Sequence, residues 1–273
     1  MLFIGVFLAV LVLNGYHLIM QISVVIRTFN AAARFAEVLS SLKGFADEIV
    51  AIDCGSNDET LAIARDFGAK IINQEWLGFA AQANEGFKHA TAEWVFLLDQ
   101  DEVVSDELRS AVLEELKNPR YDGYFINRQT IYFGEKLNYT WQPEFIFRLA
   151  KRGANARCEG ADPHPKMICD GKIGRIDKKY KLLHYSYQNW RDQLRKSVDY
   201  AEVGARSMFS RGKKASLYKI IFSPLVAFLR SYLFKLGFLD GKLGLIAAGS
   251  SAIYTFMKYV FLYELDRDAG KAV

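Results

Sequence analysis

The sequence predicts an α/β protein built on a parallel sheet, and three observations carry that prediction. Four short apolar runs of strand type alternate with helix-type segments between Ile22 and Leu98. The first two and the fourth run straight into polar or turn-forming residues. The fourth leads directly into Asp99, Asp101 and Glu102. Alternation of this kind argues for βαβ units. Right-handed crossovers bring the C-terminal ends of such strands to one edge, where ligands bind in open α/β sheets.

The first run, Ile22 to Ile26, is β-branched and ends at Arg27-Thr28-Phe29-Asn30. Helix is predicted over Ala31 to Lys43, where Phe35, Val38, Leu39 and Leu42 fall at i, i+3, i+4 and i+7. Glu48 to Asp53 is the second strand, and Gly55-Ser56-Asn57-Asp58 is turn and N-cap chemistry. Glu59 to Phe67 reads as helix with Gly68 at its C-terminal cap. Ala69 to Ile72 is the third strand, Ala80 to Ala90 a helix, and Trp94 to Leu98 the fourth strand. Beyond Glu102 the pattern changes. Ser105 to Lys117 is an amphipathic helix, Tyr121 to Leu149 is aromatic and strand-like, and Glu159 to Gly174 is a loop. From Trp190 onward the chain reads as helical, rich in Lys, Arg, Tyr and Phe.

The chain has 273 residues, room for one sizeable α/β domain with an appendage. Hydrophobic residues make up 51% and charged residues 24%, an ordinary globular balance. The net charge of +4 suits an anionic substrate or membrane surface. The basic residues are scattered rather than gathered into an arm, which argues against nucleic acid as a partner. Cys54, Cys158 and Cys169 are odd in number and form no CxxC, against a disulfide framework or a structural zinc site. Met1 to Met20 is almost wholly apolar and near the length of a bilayer span. It is read either as an anchor or as a mis-assigned start, with translation beginning at Met20.

The strongest chemical signal is Asp99-Gln100-Asp101. Carboxylates at i and i+2 leaving a strand can both reach a hard cation such as Mg²⁺ or Mn²⁺, whose shell phosphate and water complete. The plain alternative is a solvated acidic turn, and the placement after a fourth βα strand favours the cation. Asp53 ends the second strand and can accept hydrogen bonds from a ribose or a base edge, while Gly55 lets backbone amides approach. Ser56 or Asp58 serves equally as a helix cap. Thr28 and Asn30 suit nucleotide contact, although read alone they too are cap residues. His184 reads as a buried hydrogen-bonded histidine, with contact to a diphosphate or metal as the alternative. Trp141 is read either as core or as a platform for a sugar face.

Four segments taken together resemble a known family. Ile22 to Asn30 (ISVVIRTFN), Ile49 to Asp58 (IVAIDCGSND), Gly78 to Gly86 (GFAAQANEG) and Trp94 to Glu102 (WVFLLDQDE) are similar, in order and spacing, to the successive motifs of family 2 glycosyltransferases. Trp141 to Leu149 (WQPEFIFRL), the Glu159 to Met167 loop, Leu183 to Tyr187 (LHYSY), Pro224 and Gly237 to Gly241 (GFLDG) resemble the lipopolysaccharide-core β-1,4-glucosyltransferase-like branch. The likeness covers roughly Ile22 to Glu264. It implies a GT-A fold, a Rossmann-like mixed sheet flanked by helices, with a helical C-terminal extension. It implies a catalytic domain over 21–188 and a membrane-associating helical region over 189–273, after the apolar segment 1–20. It also implies inverting transfer of a sugar from a nucleotide-sugar, with UDP as the family-level expectation, to a lipopolysaccharide-core or other glycolipid acceptor. The expected place is the cytoplasmic face of the inner membrane, held peripherally or by a single anchor.

Carried over residue by residue, Thr28 and Asn30 would line the nucleotide pocket and Asp53 would hold the uracil or ribose. Gly78 and Asn84 would border the donor. Asp99 and Asp101 would hold the diphosphate, Asp101 through the metal. One departure matters. A His-Glu pair is expected after the Glu-Gly loop, but Pro165 stands at the Glu. An inverting transfer needs a general base for the acceptor hydroxyl. Asp162 is the favoured candidate, with Glu159 and His164 behind it; the alternative is that Asp162 only shapes a turn. Two rival readings remain: a nucleotidyltransferase, for which RTFNAAAR is a poor phosphate loop, and a membrane-associated scaffold that has lost its base.

Ser216 to Tyr263 mixes Tyr, Phe, Leu and Ile with Lys219, Arg230, Lys235, Lys242 and Lys258. Basic side chains and interfacial aromatics on helices suit a headgroup-level surface. No uninterrupted membrane span is expected, because Asp240 and its neighbours break the stretch.

Overall fold

The computed structural model describes residues 22–160 and 165–271. The apolar segment Met1 to Met20 lies outside them. Strands β1 (Ile22–Thr28), β2 (Glu48–Asp53), β3 (Lys70–Asn73) and β4 (Trp94–Asp99) are parallel, in the order β3-β2-β1-β4. Helices α1 (Ala32–Ser41), α2 (Thr60–Asp66) and α3 (Phe79–His89) connect them. The register aligns Thr28 with Asp53 and Arg27 with Asp99, so three polar strand ends meet at one edge.

The sheet then changes character. It continues through β8 (Glu144–Lys151), β6 (Gly123–Tyr132), β12 (Lys181–Tyr187) and β5 (Glu102–Val104). Strand β8 runs antiparallel to both β4 and β6, β12 runs parallel to β6, and β5 runs antiparallel to β12. The short strands β7 (Glu135–Lys136) and β11 (Ile173–Arg175) also pair with β6. The result is a mixed sheet whose parallel half is the one predicted.

Successive side chains on a strand point to opposite faces, and the core divides accordingly. Val24, Ile26, Phe96 and Leu98 face α1, α2 and helix α4 (Asp106–Lys117) through Phe35, Leu39, Ala64, Leu108 and Val112. Val25, Ile52, Val95 and Leu97 face α3 through Ala83 and Phe87. Helix α3 lies so close to the sheet that a Cβ on Gly86 would come within 2.3 Å of Val25 Cγ1. Helix α4 starts at Ser105, whose Oγ accepts from Leu108 N at 3.2 Å, with Asp106 and Glu107 in the first turn and Lys117 in the last. That arrangement satisfies an orphan N–H and complements the helix dipole.

Glu159 to Gly174 is not the plain loop expected. Strands β9 (Arg157–Glu159) and β10 (Lys166–Ile168) form a hairpin in which Met167 pairs with Cys158, and β11 follows. Cys158 and Met167 are buried against the α3 side of the sheet. Three-residue strands among Gly and Pro carry too little alternation to be seen in sequence.

Beyond β12 come α5 (Trp190–Ser210), α6 (Leu217–Leu229), a π-helical turn (Arg230–Phe234), a 3₁₀ turn (Gly237–Asp240) and α7 (Gly241–Lys271). Asn189 and Ser216 cap α5 and α6. Asp240 is an anchor: its carboxylate accepts from the backbone N–H groups of Asn138, Tyr139 and Thr140 at 2.8, 3.1 and 2.7 Å. A Cβ on Gly237 would lie 2.6 Å from Thr140 Oγ1, so glycine lets the two segments touch. The expectation that Asp240 leaves no long apolar stretch is corrected. The breaks fall in the turns, and Leu217–Phe234 and Gly237–Gly270 are each long and apolar enough, by length and composition, to cross a membrane.

Candidate active site

A cleft of about 1360 Å³ opens at the C-terminal ends of the parallel strands. Thr28, Asp99 and Asp101 line it, as do the β9–β10 hairpin residues Cys158, Pro165 and Met167 and several side chains of α5 and α7. Asn30, Asp53, Gly55, Gly78, Asn84 and Glu159 are absent from its lining.

Their hydrogen bonds explain why. The Asp53 carboxylate accepts from Gly55 N and Ser56 N, both at 2.9 Å, from Ser56 Oγ at 2.5 Å and from Thr28 Oγ1 at 3.2 Å. Asp53 is 1% exposed, so it shapes the loop after β2 and has little capacity left for a ribose. Asn30, at φ 47°, accepts from Asn57 N at 2.9 Å and ties the loops after β1 and β2 together. Asp58 accepts from Ala32 N at 3.1 Å, capping α1 from a neighbouring loop. The Asn84 amide bonds both Cys158 N, at 2.7 Å, and Cys158 O, at 3.0 Å, and so pins β9 to α3. Gly78 is the N-cap of α3 at φ 93°. Glu159 pairs with Arg157 at 2.6 Å. Asp162 and His164 lie outside the described residues.

Asp99 sits in a partly buried ionic network. Arg27 bonds one of its oxygens, and Arg148 Nη2 reaches the other at 2.5 Å. Arg148 also meets Glu102 Oε1 at 2.7 Å, Glu102 takes Arg128 at 3.0 Å, and Arg128 takes Glu144 at 2.6 Å. Three cations and three anions alternate, which balances charges that would be costly if buried alone. Burial pushes the Asp99 carboxyl up, but Arg148, Arg27 and Arg128 outweigh it and hold it well below the usual carboxylate range. Glu102 Oε2 also accepts from Asp99 N at 3.0 Å, so this network fixes the strand end itself. Arg27 and Arg148 carry no assignment from the sequence, because their carboxylate partners lie on other segments of the chain and are reached only through strand register.

Asp101 has different company. Tyr185 N donates to Asp101 O at 2.9 Å, and the antiparallel pairing of β12 with β5 brings His184 alongside. His184 Nε2 lies 3.5 Å from Asp101 Oδ1, and both side chains line the cleft. Burial raises the Asp101 carboxyl, and the facing His184 outweighs that and lowers it below its ordinary value. Gln100, between the two aspartates, clamps Phe29 by accepting from its N at 2.7 Å and donating to its O at 3.1 Å.

No group of three or more His, Cys, Asp or Glu side chains able to hold a metal occurs among the described residues. Asp101 and His184 make a two-ligand set open to the cleft. The Asp101 carboxylate fits a hard cation such as Mg²⁺ or Mn²⁺, which keeps several waters and takes one or two carboxylates beside substrate phosphates, and the His184 imidazole favours the transition metal of the two. Asp99, with both oxygens held by arginines, fits direct ligation less well.

The family described as Glycosyl transferase family 2 matches residues 23–183. The lipopolysaccharide core biosynthesis glycosyltransferase LpsC of Rhizobium meliloti (strain 1021) is 27% identical over 264 residues, covering 93% of this chain and 95% of its own. The uncharacterized glycosyltransferase RT0209 of Rickettsia typhi is 28% identical over 255 residues, covering 90% of this chain and 86% of its own. The crystal structure of S. aureus TarS 1–349 in complex with UDP-GlcNAc aligns with a TM-score of 0.51 at 15% identity, covering 92% of each chain. That likeness speaks for the fold, a GT-A-type mixed sheet flanked by helices with a helical C-terminal extension.

Proposed function

The chain belongs to glycosyl transferase family 2, and from that premise we propose that it moves a sugar from a UDP-sugar to a glycolipid acceptor of the lipopolysaccharide-core type. The observation that carries the reading is the Asp101–His184 pair, open to the cleft beside an Asp99 held by two arginines. Asp101 and His184 would hold a divalent cation, which when bound would offset the charge on the leaving diphosphate. Arg27 and Arg148 fix Asp99 and with it the turn that presents Asp101. Thr28 borders the nucleotide. Asn30, Asp53, Gly55, Gly78 and Asn84 act one step back, by holding the loops, the start of α3 and the β9–β10 hairpin that surround the donor.

In the transfer, the acceptor oxygen attacks the anomeric carbon opposite the diphosphate. The carbon–oxygen bond to phosphate breaks and its electron pair leaves with UDP. The hydroxyl proton passes to a base, for which Asp162 is proposed, with Glu159 and His164 behind it. Pro165, which follows these candidates in sequence, lines the cleft, and that supports a base drawn from this stretch of chain.

The acceptor reading draws support from LpsC and from the outer surface of the C-terminal helices. Leu217, Tyr218, Val226 and Phe234 are 73%, 69%, 62% and 82% exposed. Between Glu202 and Asp240 lie seven basic residues and no acidic one, and all seven basic residues are exposed. An apolar face rimmed by cations suits peripheral contact with an anionic leaflet, and we place the enzyme on the cytoplasmic side of the inner membrane on that basis. The test is calorimetric titration of UDP, then GDP, with and without Mn²⁺. Metal-dependent UDP binding is expected. Absence of binding to either nucleotide in folded protein favours the scaffold reading that Pro165 suggests.

A further inference from the structure

The cleft extends well past the strand ends. Ligand pockets commonly measure about 300–1,000 Å³, and this one, at about 1360 Å³, continues to a wall formed by α5 and α7. A line of contacts joins Asp101 to that wall. His184 faces Asp101, and its Nδ1 meets Ser186 Oγ at 2.9 Å. Lys196 Nζ of α5 donates to Ser186 O at 3.0 Å and stands 5.6 Å from the Tyr187 ring centre. The Tyr187 and Trp141 rings are 6.4 Å apart, and Trp141 Nε1 donates to Ser251 Oγ of α7 at 2.9 Å. Every residue on this line borders the cleft.

Trp141 is fixed in place. Tyr132 meets it edge-on at 5.5 Å, and its indole N–H is already bonded. What it has left for a ligand is apolar ring surface. Ser251 and Thr255 donate their own hydroxyl hydrogens to Ala247 O and Ser251 O, at 3.1 and 2.7 Å. They therefore present lone pairs to anything in the cleft. Lys196, which also pairs with Asp192 at 3.3 Å, keeps one N–H donor and its charge for a ligand. An aromatic surface flanked by hydroxyl acceptors and an ammonium matches a pyranose, which has an apolar C–H face and a rim of hydroxyls. An acyl chain would strip water from the Lys196 ammonium and the remaining hydroxyl lone pairs and return no hydrogen bond, at a cost.

We infer that the α5–α7 end of the cleft is a saccharide subsite for the acceptor, with Trp141 as its platform and Ser251, Thr255 and Lys196 as its polar rim. The inference rests on the transferase reading, and the test separates the two. The probe is a lipid-free core oligosaccharide released from rough-type lipopolysaccharide by mild acid. Its affinity for the full chain is measured by saturation-transfer NMR, with UDP and GDP affinity measured by calorimetry on the same samples. The wild type is expected to show transfer to pyranose ring protons. Trp141→Leu should weaken the probe about tenfold, and Thr255→Val, which keeps shape and removes one hydroxyl, about threefold. Should Trp141→Leu fail to fold, Thr255→Val carries the test. UDP binding without any probe signal in the wild type overturns the subsite and leaves the donor site standing, as does probe affinity unchanged in the folded variants. Probe binding that responds to these variants in a chain with affinity for neither UDP nor GDP supports a saccharide subsite and overturns the transferase reading.

Discussion

His184 and Asp101 face each other at 3.5 Å across the mouth of the cleft, although one lies on β12 and the other just beyond β4. The pairing depends on β12 adding to the sheet beside β5, so the candidate cation site exists only once the distal half of the sheet has formed. Asp101→Ala and His184→Ala should each reduce Mn²⁺-stimulated UDP affinity by about tenfold or more, equivalent to ~1.4 kcal/mol. Calorimetry with and without Mn²⁺ reads this directly, and unaltered metal stimulation in both variants would sink the assignment.

Arg148→Met removes the buried cation shared by Asp99 and Glu102. Uncompensated buried charge costs on the order of 3–5 kcal/mol, which urea unfolding would register. The acid limb of stability should move as well. The Asp99 carboxyl is depressed in the folded state, so its contribution is complete above its unfolded value of about 4 and is lost as pH falls through the lower folded value. In the variant Asp99 is less depressed, so less stability should be lost as pH falls below about 4 and the gap to the wild type should narrow at acid pH. A stability gap that stays constant across the acid limb would mean that the arginine does not hold Asp99.

Asp240→Ala strips one acceptor from three backbone N–H groups. A loss on the order of 2–3 kcal/mol is expected, with faster amide exchange at Asn138, Tyr139 and Thr140. Unchanged protection there would contradict the anchoring role.

Vesicle co-sedimentation tests the basic, apolar face. Binding to phosphatidylglycerol-rich vesicles should exceed binding to phosphatidylcholine and should weaken with salt. The triple change Lys213→Glu, Lys214→Glu, Lys219→Glu should abolish that preference, each lysine contributing about 1 kcal/mol near an anionic surface. Equal partition onto both lipids by the wild type argues against the surface.

Asp162→Asn should cut turnover by roughly 10²-fold or more, with UDP affinity nearly unchanged. Wild-type turnover in that variant would move the base to Glu159 or His164.

The parallel half of the sheet was legible because each of its strands is a continuous apolar run ending in polar residues, a local pattern. The DQD turn was legible for the same reason. Arg27, Arg148 and His184 were undervalued because their meaning lies in strand register: Arg27 aligns with Asp99, and His184 with Glu102. The internal partners of Asp53 and Asn84 were not legible for the same reason: their polar groups look free in a sequence, and folding pairs them with Ser56, Thr28 and Cys158. The β9–β10 hairpin escaped notice because its strands are too short to show alternation.

The cleft has one wall from the sheet and another from α5 and α7, and the two walls come from consecutive stretches of chain. The family match stops at residue 183, just before the second wall begins. A chimera joining the sheet of this protein to the terminal helices of a relative would thus place a hybrid cavity between two parents. Asp240, binding the backbone at Asn138 to Thr140, would be the seam on which such a graft holds or fails.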